Sequence, residues 1–276
     1  MIKEKFPHRV GTMTGIYSVA MGFMASVASA LSIPIAINFD LGWKVALLAW
    51  AAPTVIGIII WGHIAFKITK KEKHFSKKQT NNINEGNNVW SSSLAWQIAI
   101  FMGIQSFVFY ITIAWLPEIL FNYGASMTTS GSMLSFMQLI GLPISFVVPH
   151  LAGKLQTHKA LVGSLVFSGV LGYCGLLIGH TYLNMIISVT LIGISMGGVF
   201  PLALAFLSLK AYDAKRSSNL SGMAQSIGYL LAMLGPIFIG TLYDLFNDWT
   251  IPILTVIGAE LILIIMGFFV GKDIQI

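Results

Sequence analysis

The sequence predicts an all-α integral membrane protein that crosses the bilayer eight times, and three observations lead to this fold class. Hydrophobic residues make up 56% of the 276-residue chain and charged residues only 9%, whereas soluble domains carry roughly 25% charged residues. The apolar runs reach the roughly 20 residues that a helix needs to span a hydrocarbon core. They also lack the two-residue alternation of a membrane β-barrel.

The eight apolar runs predict membrane-spanning helices at 11–38, 43–66, 93–121, 130–153, 159–179, 183–208, 219–243 and 251–271. The first run follows a basic start but is too long for a signal peptide and lacks a cleavage-type ending. Residues 67–92 are rich in lysine and asparagine, which is typical of a solvated linker. We therefore expect a two-helix region at 1–66, a linker at 67–92 and a six-helix region at 93–276.

The distribution of cations predicts the orientation of the helices. With a cytoplasmic N-terminus, 15 of the 16 lysines and arginines fall in inside segments, and only Lys44 lies outside. Because such residues are retained on the cytoplasmic side during insertion, both termini are expected in the cytoplasm. The net charge of +6 is thus a topological signal, and no nucleic-acid partner is expected because the cations are dispersed.

An internal repeat links the two ends of the chain at an offset of about 207 positions. Thr14-Gly15 in the first run corresponds to Ser221-Gly222 in the seventh, and a tryptophan opens the run that follows each (Trp43 and Trp249). A repeat of this length indicates a transporter fold built from two similar halves. The first half would be represented only by its last two helices, so the helices preceding them are expected to be absent from this chain.

Several segments carry a specific family resemblance. FPHRVGTMTGIYSVAMG (6–22), WQIAIFMGIQSFVFYITIAWLPEIL (96–120), GGVFPLALAFL (197–207) and SNLSGMAQSIGYLLAMLGPIFIGTLYD (218–244) resemble the cyanate and 2-nitroimidazole permeases, a branch of the major facilitator superfamily. The resemblance implies helices 5–12 of a twelve-helix fold in the bacterial cytoplasmic membrane. It also implies alternating-access secondary transport of a small polar or weakly anionic solute. The alternatives are a non-transporting truncated remnant, or one part of a split transporter completed by a separately encoded N-terminal part.

Polar side chains on the spans identify candidate solute contacts, because in lipid they must face protein or water. Amides and phenols form hydrogen bonds without carrying charge, which suits a small polar or weakly acidic solute. The alternative is ordinary hydrogen bonding between helices. The candidates are Gln105, Tyr110, Gln138, Gln225, Tyr229 and Tyr17.

Glu260 is the one acidic residue predicted near mid-span, and an intramembrane acid is a candidate for proton coupling. The alternative is a neutral or locally paired glutamic acid, since the resemblance places the last helix away from the central cavity.

No enzyme and no cofactor are expected. The string Gly193-Ile194-Ser195-Met196-Gly197 fits G-x-S-x-G, but it lies within a predicted helix and has no histidine at the same depth to act as a base. The single cysteine, Cys174, offers no disulfide or metal pair.

Overall fold

The structure is a computed structural model that describes Phe6 and residues 9–33, 35, 42–75 and 89–275. Within these residues the regular secondary structure is entirely helical. The helices are α1 (Val10–Ile33), α2 (Gly42–Ala49), α3 (Ala51–Phe75), α4 (Ser93–Asn122), α5 (Met127–Ala152), α6 (Lys159–Ile178), α7 (Tyr182–Leu209), α8 (Ala214–Phe246) and α9 (Thr250–Val270). A 3₁₀ turn at Val89–Ser91 precedes α4.

The last six predicted spans each match one helix, α4 to α9, with bounds that shift by a few residues. In the described part of the chain, seven helices are long and apolar enough to cross a membrane, and α1 contributes a shorter apolar stretch, Val10–Met24. An all-α membrane fold is therefore confirmed. The chain is a multi-pass membrane protein.

The second predicted span, 43–66, differs from the structure. It is divided into α2 and α3 by a turn at Trp50. Pro53 explains the break, because its ring would clash with the carbonyl of Ala49 in a continuous helix, whereas the first turn of a new helix accepts proline. The new helix also continues to Phe75, nine residues into the segment predicted as a linker. Lysine and glutamate there have high helix propensity, and cations favour a helix C-terminus.

The chain forms two compact units, Met1–Gly22 with Asn88–Ile276 and, separately, Phe23–Asn87. The first unit contains the start of α1 and the bundle α4–α9. Its core is a pair of apolar clusters, one around Phe101 and Phe206 and the other around Met137 and Tyr173. Within this bundle α4 packs most extensively on α8, and α7 packs on both α5 and α6.

Glycines allow the helices of the bundle to approach closely, as small residues do in membrane proteins. A side chain at Gly197 of α7 would place its Cβ 2.3 Å from the Cα of Gly141 on α5. At the α4–α8 crossing, a Cβ at Gly103 would lie 3.4 Å from the Cα of Gly228. These two crossings set the positions of the helices that carry the candidate site.

The start of α1 packs against the end of α5. A Cβ at Gly11 would lie 2.1 Å from the carbonyl oxygen of Pro149, and a Cβ at Gly15 would lie 2.9 Å from that of Phe146. A side-chain hydrogen bond of 2.9 Å joins Thr12 Oγ1 to His150 Nδ1. This contact belongs to the first part of α1, up to Gly22, which also carries Tyr17 and lies in the first unit.

Candidate solute site

Two of the predicted residues line one pocket between α4 and α8. This pocket, called here the tyrosine pocket, has a volume of about 280 Å³. It is lined by Tyr110, Tyr229, Ala232, Met233 and Pro236. Tyr229 follows Gly228 at the close crossing of α4 and α8, and Tyr110 lies two turns beyond Gly103 on α4, so the pocket extends along the groove between the two helices. Both side chains stay partly exposed, Tyr110 by 44% and Tyr229 by 41%.

A third predicted residue, Tyr17, belongs to the same neighbourhood. Its side chain is 52% exposed, and the Tyr229 hydroxyl interacts electrostatically with the hydroxyls of both Tyr110 and Tyr17. Three helices distant in sequence, α1, α4 and α8, therefore bring a phenol to one region. Phenol hydroxyls both donate and accept hydrogen bonds, so the region can bind a polar solute without a fixed charge.

Pro236 adds a backbone group to the pocket wall that the sequence analysis did not single out. Proline has no N–H, so Pro236 leaves the carbonyl of Ala232, one turn earlier on α8, without its helical donor. Ala232 itself lines the pocket. The carbonyl of Pro236 accepts a hydrogen bond of 2.9 Å from the indole N–H of Trp115, which fixes α8 against α4 at this level. A proline within an apolar helix is the sequence signal that could have indicated the freed carbonyl.

Gln225 lies one turn before Tyr229 on α8 and is half-buried. Its Nε2 donates a hydrogen bond of 2.6 Å to Ser221 Oγ, one further turn back. Ser221, Gln225 and Tyr229 thus form a continuous polar stripe on one face of α8. Gln225 is not among the residues that line the tyrosine pocket, so its contact with solute stays a prediction.

The remaining amides lie elsewhere. Gln105 is 1% exposed; its Oε1 accepts a 3.2 Å hydrogen bond from Ser106 Oγ, while its Nε2 is buried without a partner in the described structure. Gln138 is half-buried on α5, away from the residues that line the pocket. Solute contact by these two side chains also stays a prediction.

No charged group is among the described residues that line the tyrosine pocket, in contrast to a second cavity of about 380 Å³ beside the start of α1. That cavity includes Arg9, His150 and Lys154. Among the described residues, no group of three or more His, Cys, Asp or Glu side chains is placed to hold a metal ion. The tyrosine pocket therefore suits recognition by hydrogen bonds and aromatic contact.

Glu260 lies apart from these residues, on α9. It is 0% exposed, and neither carboxylate oxygen has a hydrogen-bond partner in the described structure. Its neighbours are Gly169 of α6 and Ser195 of α7, the serine of the G-x-S-x-G string. Ser195 is fully buried mid-helix without a hydrogen-bonded base.

Comparisons with known proteins place this architecture in a family. The family model described as Major Facilitator Superfamily matches residues 1–236. The chain is 38% identical over 273 residues to the Bacillus subtilis (strain 168) protein named uncharacterized transporter YycB, covering 99% of this chain and 66% of that protein. It is 32% identical over 276 residues to the 2-nitroimidazole transporter of Escherichia coli (strain K12), covering 100% and 68%.

A third relative, the cyanate transport protein CynX of Escherichia coli (strain K12), is 27% identical over 266 residues, covering 95% of this chain and 67% of that protein. The chain thus spans about two thirds of the length of the curated relatives it matches. These relatives are named as transporters and none as an enzyme. The match to the family model and the relatives, together with the helical membrane bundle, show that this chain belongs to the Major Facilitator Superfamily of transporters, in the branch that contains the cyanate and nitroimidazole permeases.

Proposed function

We propose that this chain forms the larger part of a secondary active transporter that moves a small polar or weakly anionic solute by alternating access. The observation that carries the proposal is the pocket that Tyr110 and Tyr229 share between α4 and α8, with no charged side chain among the described residues of its wall. Tyr17 of α1 is a third phenol near Tyr229. The freed carbonyl of Ala232 supplies an acceptor beside these phenols. A solute with one hydrogen-bond acceptor and one donor would be held from two sides.

The names of the relatives supply the first solutes to test, 2-nitroimidazole and cyanate. Both are small enough for a cavity of about 280 Å³. 2-Nitroimidazole offers a ring N–H to a carbonyl and nitro oxygens to phenol donors. Cyanate has no donor and would rely on the phenols alone. We therefore expect the nitroimidazole to depend more strongly on the α8 side of the pocket.

The proposed organisation follows the two-half plan, with 1–66 in the first half, 67–92 as the linker and 93–276 as the second half. We place both termini in the cytoplasm of a bacterial cell, with the helices in the cytoplasmic membrane, because 15 of the 16 lysines and arginines then lie inside. The relatives are longer than this chain by about a third of their length. Transport therefore requires, in this proposal, that additional part, within the same polypeptide or from a separately encoded chain. A non-transporting remnant is the alternative.

The test is uptake by reconstituted vesicles. This chain would be assayed alone and together with the remaining third of the Bacillus subtilis relative, with labelled 2-nitroimidazole and cyanate. Activity only in the combined sample supports the proposal. Absence of uptake and of solute binding in both samples supports the remnant. Concentrative uptake by this chain alone would contradict the requirement for the additional part.

Substitutions then test whether the tyrosine pocket binds the solute. Removing the hydroxyl in Tyr110→Phe or Tyr229→Phe should raise the KM about fivefold, since one lost hydrogen bond is worth about 1 kcal/mol and 1.4 kcal/mol is tenfold. Tyr182→Phe is the matched control, because Tyr182 is an exposed residue at the start of α7, outside the pocket. An unchanged KM in both pocket variants would show that the tyrosine pocket does not bind the solute.

A further inference from the structure

Glu260 occupies the centre of a membrane-spanning helix. The helix α9 runs from Thr250 to Val270, so Glu260 has ten residues on either side of it. The carboxyl group is fully buried, and neither of its oxygens is hydrogen-bonded within the described structure. An ionised carboxylate without a partner is among the most costly groups to bury. The observed environment therefore requires either a neutral carboxyl group or a bound positive charge.

The polar neighbours of Glu260 come from two other helices. A Cβ added to Gly169 of α6 would lie 2.8 Å from Glu260 Oε1 and 2.7 Å from Ser195 Oγ of α7. Both oxygens therefore lie within 3 Å of one point beside the backbone of α6. Ser195 Oγ is buried and unpartnered, as the carboxyl is. Three helices, α6, α7 and α9, meet at this point because position 169 has no side chain.

Tyr173 lies one turn after Gly169 on α6 and interacts electrostatically with Glu260. Its hydroxyl is 2.5 Å from Thr112 Oγ1 of α4, within the same buried region. Among the groups described around Glu260, Tyr173 is the titratable one on α6, while α4 and α7 present the neutral hydroxyls of Thr112 and Ser195. No lysine, arginine or histidine of the described structure interacts with the carboxyl, whose environment is dominated by burial.

We propose that Glu260 and Ser195 form a proton-binding site inside the bundle α4–α9, separate from the tyrosine pocket. The protonated carboxyl has one O–H donor, and Ser195 Oγ is the unsatisfied acceptor facing the same point. A small change of side-chain rotamer joins them. Releasing the proton to water leaves a carboxylate that needs hydration, so release is linked to opening of the contact between α6, α7 and α9.

A proton fits this site better than a metal cation. The point beside Gly169 is reached by one carboxylate oxygen and one hydroxyl, whereas a hard cation takes about six oxygen ligands. The site requires no solute, so it stands independently of the proposed function. If the proton is exchanged during transport, the same site would provide the coupling predicted for Glu260.

Infrared spectroscopy of the purified chain in lipid nanodiscs tests the protonation state. The carbonyl stretching band of a protonated carboxylic acid should be present at neutral pH and absent from Glu260→Gln. Glu118→Gln is the matched control, since Glu118 accepts a hydrogen bond from Asn122 near the end of α4, and this variant should retain the band. A neutral-pH spectrum without the band, or with a band that persists in Glu260→Gln, would overturn the proposal. Loss of the band when sodium chloride replaces choline chloride would also overturn it, because sodium would then occupy the site.

Thermal unfolding against pH tests the link to opening. The unmodified chain should lose stability as the pH rises above about 4.3, the usual glutamic acid value, because the unfolded chain then releases a proton that the folded chain keeps. Glu260→Gln cannot ionise and should lack this part of the pH dependence. Ser195→Ala removes the acceptor of the carboxyl proton, so its loss of stability should level off at a lower pH. Identical pH profiles for the unmodified chain and Glu260→Gln would refute the link. Neither experiment involves solute. A negative result here therefore does not contradict the proposal for the tyrosine pocket, and a negative uptake result does not contradict the proton-binding site.

Discussion

Gly15 and Gly222 are matching positions of the internal repeat, yet their surroundings differ. Each follows a small hydroxyl residue, Thr14 or Ser221, in a long apolar helix. A Cβ at Gly15 of α1 would lie 2.9 Å from the carbonyl oxygen of Phe146 on α5, whereas a Cβ at Gly222 of α8 would meet no described residue within 4 Å. The same local sequence is thus a tight helix contact at one end of the repeat and an open surface at the other.

The difference shows what a glycine in a membrane helix does and does not establish. It permits another backbone to approach, but the approach occurs only where the fold supplies a partner helix. At Gly15 the partner is α5, and the Thr12–His150 hydrogen bond lies one turn earlier at the same contact. A repeat in sequence therefore predicts similar helix surfaces, while the tertiary structure decides which surface is covered.

The largest effect is expected at Gly197, the tightest glycine contact between α5 and α7. In Gly197→Ala the new methyl would lie 2.3 Å from the Cα of Gly141, which is backbone and cannot move without shifting a helix. Overpacking of this kind costs about 1–3 kcal/mol, which exceeds the roughly 1 kcal/mol that alanine gains over glycine in a helix. Thermal unfolding in detergent should show a clear loss of stability. Unchanged stability would mean that α5 and α7 are farther apart at Gly197 than the structure shows.

The next effect is expected at Gly15. Gly15→Ala should weaken the packing of α1 on α5, because the methyl would press on the backbone of Phe146. A disulfide between Thr12→Cys and His150→Cys reports this contact directly, with Cys174→Ala removing the native cysteine. We expect efficient cross-linking with glycine at position 15 and a severalfold slower reaction with alanine. Equal cross-linking rates with glycine and with alanine at position 15 would show that α1 does not pack closely on α5 there.

Gly222→Ala is the matched control at the open end. Because no described residue lies within 4 Å of the added methyl, we expect only the helix propensity to act, and it favours alanine by up to about 1 kcal/mol. The melting temperature of the purified chain should stay constant or rise slightly. A drop comparable to that of Gly15→Ala would show that a neighbour covers Gly222 in the purified protein.

The smallest effect concerns the segment that follows α5. His158 is 4% exposed, and its Nε2 donates to the carbonyl of Ala152 at 2.9 Å, while its Nδ1 has no partner in the described structure. Burial lowers the pKa of the His158 imidazole, and the nearby Lys210 ammonium lowers it further. The carbonyl of Ala152 and the carboxylate of Asp273 oppose this shift without reversing it.

The direction of the pH effect follows from that lowered pKa. As the pH falls through about 6.5, the usual histidine value, the unfolded chain takes up a proton more readily than the folded chain does. Stability should therefore decrease on acidification below that value and be fully present above it. The melting temperature of His158→Asn should change less over the same pH range. A steeper acid dependence in His158→Asn would contradict this assignment.

Individual residues show how far the sequence could predict the candidate site. Tyr110 and Tyr229 were expected to contact solute, and they do share one pocket. Gln105 was proposed on the same helix as Tyr110, but it is buried in the bundle. Five positions along an α-helix turn a side chain by about 140°, since each residue adds about 100°, so the two residues need not share a face. Periodicity identifies a polar helix face, but only packing shows which neighbour that face meets.

Composition and the lengths of the apolar runs are enough to predict that this chain is a helical membrane protein and to locate its last six helices to within a few residues. Length and apolarity of a run are local properties, and lipid forces each such run to satisfy its backbone within a helix. The break at Pro53 is also local, because the proline ring clashes with a carbonyl four residues earlier. Only the packing of the helices shows that Gly15 is covered and Gly222 open, and that Glu260 faces Gly169 and Ser195. Those outcomes depend on contacts between residues far apart in the chain, and side-chain volume at one position, such as the missing Cβ of Gly169, sets how closely the helices meet.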